Sequence, residues 1–157
     1  MYIKNETTKL YLLPESDPTK NHRTIGQRGE FLVAEKLLEH GWGIAHPLSD
    51  SSSFDLLASK GDKIWRIQIK TTQGLVLHAN SSTPNFQFQT NHGCRRKSKY
   101  DKSTVDYFIC CALDCLKFWV MPFDTVNCIT TKIYGGKKCK YAVYENAWDL
   151  LDTDKTS

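Results

Sequence analysis

The feature that most constrains this chain is Asp55 followed, across a tight turn, by Gln68-Ile69-Lys70. Asp55 lies in the apolar run Phe54-Asp55-Leu56-Leu57-Ala58. Gln68 and Lys70 lie in a second run, Ile64-Trp65-Arg66-Ile67-Gln68-Ile69-Lys70-Thr71. Both runs read as strands, and Lys60-Gly61-Asp62-Lys63 between them reads as a hairpin turn. Burying an Asp and a Lys among apolar residues costs on the order of several kcal/mol without compensation. Metal-assisted hydrolysis of a phosphodiester calls for such a pair. A carboxylate holds Mg²⁺, and a Lys beside it orients water or offsets charge on the pentavalent phosphate.

The period of a strand places the side chains. Arg66, Gln68 and Lys70 point one way, and Trp65, Ile67 and Ile69 the other. Gln68 and Lys70 then stand about 7 Å apart on one face, close enough to share a phosphate and its metal. A helix supplies a further carboxylate. Thr24-Ile25-Gly26-Gln27 has the form of a capping box with Thr24 at the N-cap. An apolar series from Phe31 to Leu38 follows, and Gly41 closes the helix after His40. Glu30 shares a face with Val33, Ala34 and Leu37, which aims it to the core side of the helix. Gly26 and Gly29 each cost up to about 1 kcal/mol relative to Ala, which predicts a close approach of sheet or DNA backbone.

This order of helix with Glu, strand, strand with Asp, hairpin and strand ending in x-x-Lys resembles the PD-(D/E)XK nuclease superfamily. Within it, the chain is most similar to the bacterial endonucleases associated with group I introns. Their later segment resembles Tyr100-Asp101-Lys102-Ser103-Thr104-Val105-Asp106-Tyr107-Phe108, followed by a strand like Phe118-Trp119-Val120-Met121-Pro122. Holliday junction resolvases share the layout. The resemblance covers roughly residues 24–150. It implies a restriction-endonuclease-like α/β core, a central mixed β-sheet flanked by helices. It makes Glu30, Asp55, Gln68 and Lys70 the catalytic set, with Asp55, Gln68 and Glu30 as ligands of Mg²⁺, for which Mn²⁺ substitutes. It also implies double-stranded DNA as substrate. Two positions depart from the pattern. Phe54 stands where Pro is common, and Gln68 replaces the acid of (D/E)-x-K. An amide oxygen is a weaker Mg²⁺ ligand than a carboxylate.

Charge supports a nucleic-acid partner. Lys and Arg number 21 against 17 Asp and Glu, and they are clustered. Arg95, Arg96, Lys97, Lys99 and Lys102 surround one acid, Asp101. Lys132, Lys137, Lys138 and Lys140 alternate with Tyr134 and Tyr141 around Gly135-Gly136. Two basic, partly aromatic loops suit phosphate contact. The expected DNA-binding residues are Arg66, Arg95, Arg96, Lys97, Lys99, Lys137 and Lys138. Asp106 is expected to fix local geometry at the start of its strand.

At 157 residues, 40% of them hydrophobic, the chain supports one domain with a modest core. No apolar run approaches the roughly 20 residues of a membrane span. With no apolar leader, the six cysteines read as reduced thiols of a cytoplasmic protein, nucleoid-associated in a prokaryote. The absence of a C-x-x-C pair argues against structural zinc. Residues 1–23 read as an N-terminal arm carrying Leu10-Tyr11-Leu12-Leu13, 24–151 as the nuclease domain, and 152–157 as a frayed tail. Strands are expected at 42–46, 86–90, 105–113 and 117–123, with a loop over 72–85 and a closing helix over 146–151. One site cuts one strand at a time, so cutting a duplex predicts a homodimer or homotetramer. A junction resolvase and a DNA-binding module that has lost catalysis through Gln68 are the alternative readings.

Overall fold

The computed structural model describes residues 21–49, 51–77, 79, 82–92, 98–135 and 139–153. It begins with helix α1, His22–Glu39. Its N-cap is Asn21 and not the expected Thr24: the Asn21 side chain accepts a hydrogen bond from the Thr24 N–H at 2.9 Å. Asn is among the strongest N-caps, and from position 21 it reaches the third helical residue, which makes Thr24 the capped residue. His40 closes the helix and Gly41 follows at φ +78°, the left-handed conformation that releases the chain toward the sheet.

The strands are β1 Gly43–Ala45, β2 Leu56–Lys60, β3 Lys63–Thr72, β4 Leu75–Val76, β5 Asn85–Gln89, β6 Tyr107–Ala112, β7 Lys117–Pro122 and β8 Thr130–Tyr134. Five of them form a mixed sheet in the order β1-β2-β3-β6-β7, in which only the β3–β6 pairing is parallel. The β2–β3 turn falls where the sequence places it, with Gly61 at φ +61°. A second sheet, β4-β5-β8, corrects the loop readings of 72–85 and of the Lys132 region. β4 is two exposed residues long, too short to show a period, and Lys132 stands on β8. The expected closing helix is a 3₁₀ turn, Trp148–Asp152.

The five-stranded sheet is packed on both faces. Val33, Ala34 and Leu37 of α1 meet Leu56, Trp65, Ile67, Ile69 and Ile109 on one face. Phe86, Phe88 and Ile133 of the second sheet meet Phe108, Trp119 and Met121 on the other. Gly29 lets α1 approach β3, because a Cβ there would overlap the Thr71 side chain, whereas Gly26 has open space beside it. The close approach of the sheet expected from the sequence is therefore found at Gly29, and the sheet does not reach Gly26.

The chain end clamps the hairpin. Lys60 Nζ lies 2.8 Å from Asp152 Oδ1, Lys63 Nζ donates to Asp152 O at 2.6 Å, and Trp65 Nε1 donates to Leu151 O at 2.8 Å. Asp152 is thus held where a frayed tail was expected to begin. The expected arm up to residue 20 and the tail from 154 lie outside the described residues.

Candidate active site

The antiparallel register of β2 and β3 pairs Leu56 with Ile67, so the next position sets Asp55 opposite Gln68. Asp55 is the last residue before β2, and its N–H extends the ladder by donating to Ile67 O at 2.9 Å. Its side chain turns to β3. Oδ2 accepts from the Ile69 N–H at 2.7 Å and from Gln68 Nε2 at 2.5 Å. Gln68 is buried, so its amide is fixed by this bond and not by solvent.

Lys70, two residues on, shares the face of Gln68. Its ammonium donates to Tyr100 OH at 2.8 Å and to the backbone oxygen of Asn91 at 3.4 Å. Glu30 enters from the helix layer. It is half-buried, and close enough to Asp55 to feel that carboxylate's charge. The four residues singled out in the sequence are therefore brought to one end of the β2–β3 hairpin. Gly29 makes this possible by seating α1 against Thr71.

Burial dominates the electrostatics. It raises the Asp55 carboxyl above its ordinary range, against the Ile69 hydrogen bond, the Lys70 charge, the Gln68 hydrogen bond and His46. Burial likewise raises Glu30; Asp55 pushes it further up and His46 opposes. Burial lowers the Lys70 amine, and Asp55 opposes that shift. The site thus holds two carboxylates whose charged forms are disfavoured as the protein stands, a condition that an added cation relieves.

The structure adds residues that sequence reasoning missed. His46, exposed in the loop after β1, faces both carboxylates; no paired spacing marked it. Tyr100 and Asn91 hold Lys70. Tyr100 lay within the segment that carries the resemblance, but nothing local tied it to a lysine thirty residues away.

Of the expected DNA-binding residues, Arg66 is engaged within the protein. Its Nε and Nη2 donate to the two oxygens of Asp106 at 2.9 and 3.0 Å, and Nη1 donates to Ser103 O. Asp106 fixes the start of β6, as its position suggested. Lys99 is exposed. Arg95, Arg96, Lys97, Lys137 and Lys138 lie outside the described residues. The five described cysteines, Cys110, Cys111, Cys115, Cys128 and Cys139, are free thiols.

A family model described as PD-(D/E)XK endonuclease matches residues 20–150. The chain belongs to that family. This PD-(D/E)XK endonuclease is also similar in fold to a solved structure of a bacterial homing endonuclease, I-Ssp6803I. The TM-score is 0.67 at 19% identity, over 83% of this chain and 93% of that one. Comparison with curated protein sequences returns no match.

PD-(D/E)XK nucleases generally use divalent metals. The donor set of this endonuclease fits one. The oxygens of Glu30, Asp55 Oδ1 and Gln68 Oε1 accept no hydrogen bond among the described residues. All are hard oxygen donors, the type that Mg²⁺ and Ca²⁺ prefer. No cluster of three His, Cys, Asp or Glu side chains forms among the described residues. No helix among them is long and apolar enough to cross a membrane.

Proposed function

We propose that this PD-(D/E)XK endonuclease is a Mg²⁺-dependent hydrolase of double-stranded DNA, of the intron-homing type. The observation that carries the reading is the Asp55 carboxylate. It is pinned by Gln68 and Ile69, has one oxygen left open, and interacts electrostatically with Glu30 and with Lys70. When bound there, a divalent ion such as Mg²⁺ or Mn²⁺ would supply polarisation of the scissile phosphate and activation of water.

The chain's own residues set the rest. Asp55, Glu30 and the Gln68 amide would hold the cation. Gln68 keeps the Asp55 carboxylate oriented, and Lys70 presents a positive charge to the phosphate and the attacking water. In-line attack breaks the P–O3′ bond, leaving a 5′-phosphate and a 3′-hydroxyl. A nuclease domain over the expected 24–151, extended by the first turn of α1 and by Asp152, fits this role. So do the basic residues near Lys99 and Lys138 in the sequence, as contacts for the phosphate backbone. A homodimer, or one pair of sites within a homotetramer, places one site on each strand. A cytoplasmic, nucleoid-associated location follows from that substrate.

The test is cleavage of a linear duplex carrying the intron-less host locus, with Mg²⁺ and with EDTA. Cleavage with Mg²⁺ alone supports the reading, and equal cleavage in EDTA removes the metal role. Cutting confined to four-way junctions points to resolution in place of homing. DNA binding with no cutting under any divalent ion identifies a binding module.

A further inference from the structure

Lys70 and Asp55 face each other across a buried site, yet they do not form an ion pair. Lys70 Nζ instead donates to Tyr100 OH at 2.8 Å and to Asn91 O at 3.4 Å. A lysine has four rotatable side-chain bonds, and a buried ammonium without a partner turns to the nearest carboxylate. Something must hold it away. The Tyr100 phenol is itself fixed. Its ring packs on His92 at 5.0 Å and on Phe108 at 5.4 Å, and the backbone before it is tied by the His92–Ser98 bridge. The 4.8 Å from Nζ to the ring centroid reflects the hydroxyl contact, since the oxygen is much the nearer atom.

We infer that Tyr100 is a positioning residue that holds the Lys70 ammonium off the Asp55 carboxylate, so that a divalent cation and a phosphate fit between them. The inference rests on the proposed role of Lys70. Without the hydroxyl, Lys70 swings onto the open oxygen of Asp55. The two charges then neutralise each other, and Lys70 competes with the cation for its ligand. The phosphate loses its positive partner in the same movement.

The experiment compares wild type, Tyr100→Phe, Lys70→Ala and the Tyr100→Phe/Lys70→Ala double variant. Tyr100→Phe keeps the ring contacts and removes only the oxygen. Mn²⁺ affinity, read by electron paramagnetic resonance without DNA, is expected to fall about fivefold or more in Tyr100→Phe, the lower end for coupled sites. It is expected to return in the double variant, where no amine remains to compete. Single-turnover cleavage by Tyr100→Phe is expected to drop between about tenfold and a hundredfold, the effect of a reacting group displaced by ~1 Å. DNA affinity should hold. Wild-type Mn²⁺ affinity in Tyr100→Phe overturns the inference. So does weak Mn²⁺ binding in both Tyr100 variants, which means that Tyr100 acts through the fold and not through Lys70. Lys70→Ala that still cleaves at the wild-type rate overturns the site reading itself, whatever the Mn²⁺ result.

Discussion

The Gln68 side-chain amide donates to Asp55 Oδ2 at 2.5 Å, joining the two chains of the β2–β3 hairpin at the point where β2 begins. In place of an acid, Gln68 brings a donor that steadies its neighbour's carboxylate and an oxygen free to meet a cation. This relationship makes the departure from (D/E)-x-K testable.

Gln68→Glu replaces that donor with a second carboxylate against Asp55. Like charges in contact raise each other's proton affinity and destabilise the fold until a cation separates them. Thermal melting of the variant in EDTA should fall below wild type and recover with Mg²⁺ or Mn²⁺. Cleavage should persist with altered metal preference. A melt unaffected by metal would count against Gln68 as a ligand.

Asp55→Asn keeps an oxygen to accept from the Ile69 N–H but removes the charge. Cleavage should become undetectable while DNA binding and overall fold persist, because the lost interaction matters in the transition state and not in positioning the duplex. Lys70→Ala should cost about a hundredfold or more in single-turnover rate, the scale for one preorganised charge-stabilising group. Gel shift and cleavage assays on the same preparations separate the two effects.

The pH dependence of stability carries the signature of the two acids. Asp55 and Glu30 have folded values above the ordinary 3.8 and 4.5, so within that window the folded state binds more protons than the unfolded one. Stability must then fall as pH rises through the folded values. Urea unfolding in EDTA from pH 3.5 upward should show this slope, reduced in Asp55→Asn/Glu30→Gln. Lys70 has the opposite sign. Its lowered folded value makes stability rise as the pH climbs toward 10.5.

The two helix glycines should respond oppositely to alanine. Gly29→Ala forces a Cβ into Thr71 and is expected to cost about 1–3 kcal/mol, the usual penalty of overpacking. Gly26→Ala meets nothing and should stabilise α1 by up to about 1 kcal/mol. Denaturant midpoints of the two variants check both signs.

The arginines should divide by function. Neutralising Arg95, Arg96, Lys97 and Lys99 should flatten the salt dependence of DNA binding by about 0.9 per lost phosphate contact. Arg66→Gln should leave that slope unchanged. It should instead lower stability by roughly 1–3 kcal/mol, because the partly buried Asp106 carboxylate loses the guanidinium that bonds both of its oxygens. A changed slope in Arg66→Gln would return this residue to the DNA surface.

The hairpin that carries the candidate site was legible in the sequence. Asp55, the Gly61 turn and the alternation from Trp65 to Lys70 are local signals, and a strand period of two leaves little choice about which side chains share a face. Glu30 was legible for the same reason, through the helical spacing to Val33 and Leu37. The start of the helix was less so, since Asn21 and Thr24 are both good caps three residues apart and the backbone can use only one. The tertiary structure alone decided what lies opposite the site. β8 pairs with β5 across some forty residues, with Gln87 opposite Lys132, and its polar and apolar residues read equally well as a basic loop. Tyr100 meets Lys70 across thirty residues, and the Arg66–Asp106 pair spans forty. Periodicity and turn chemistry act between near neighbours in the chain. Which distant side chain comes to a buried charge depends on how the layers pack, and packing is a property of the whole fold.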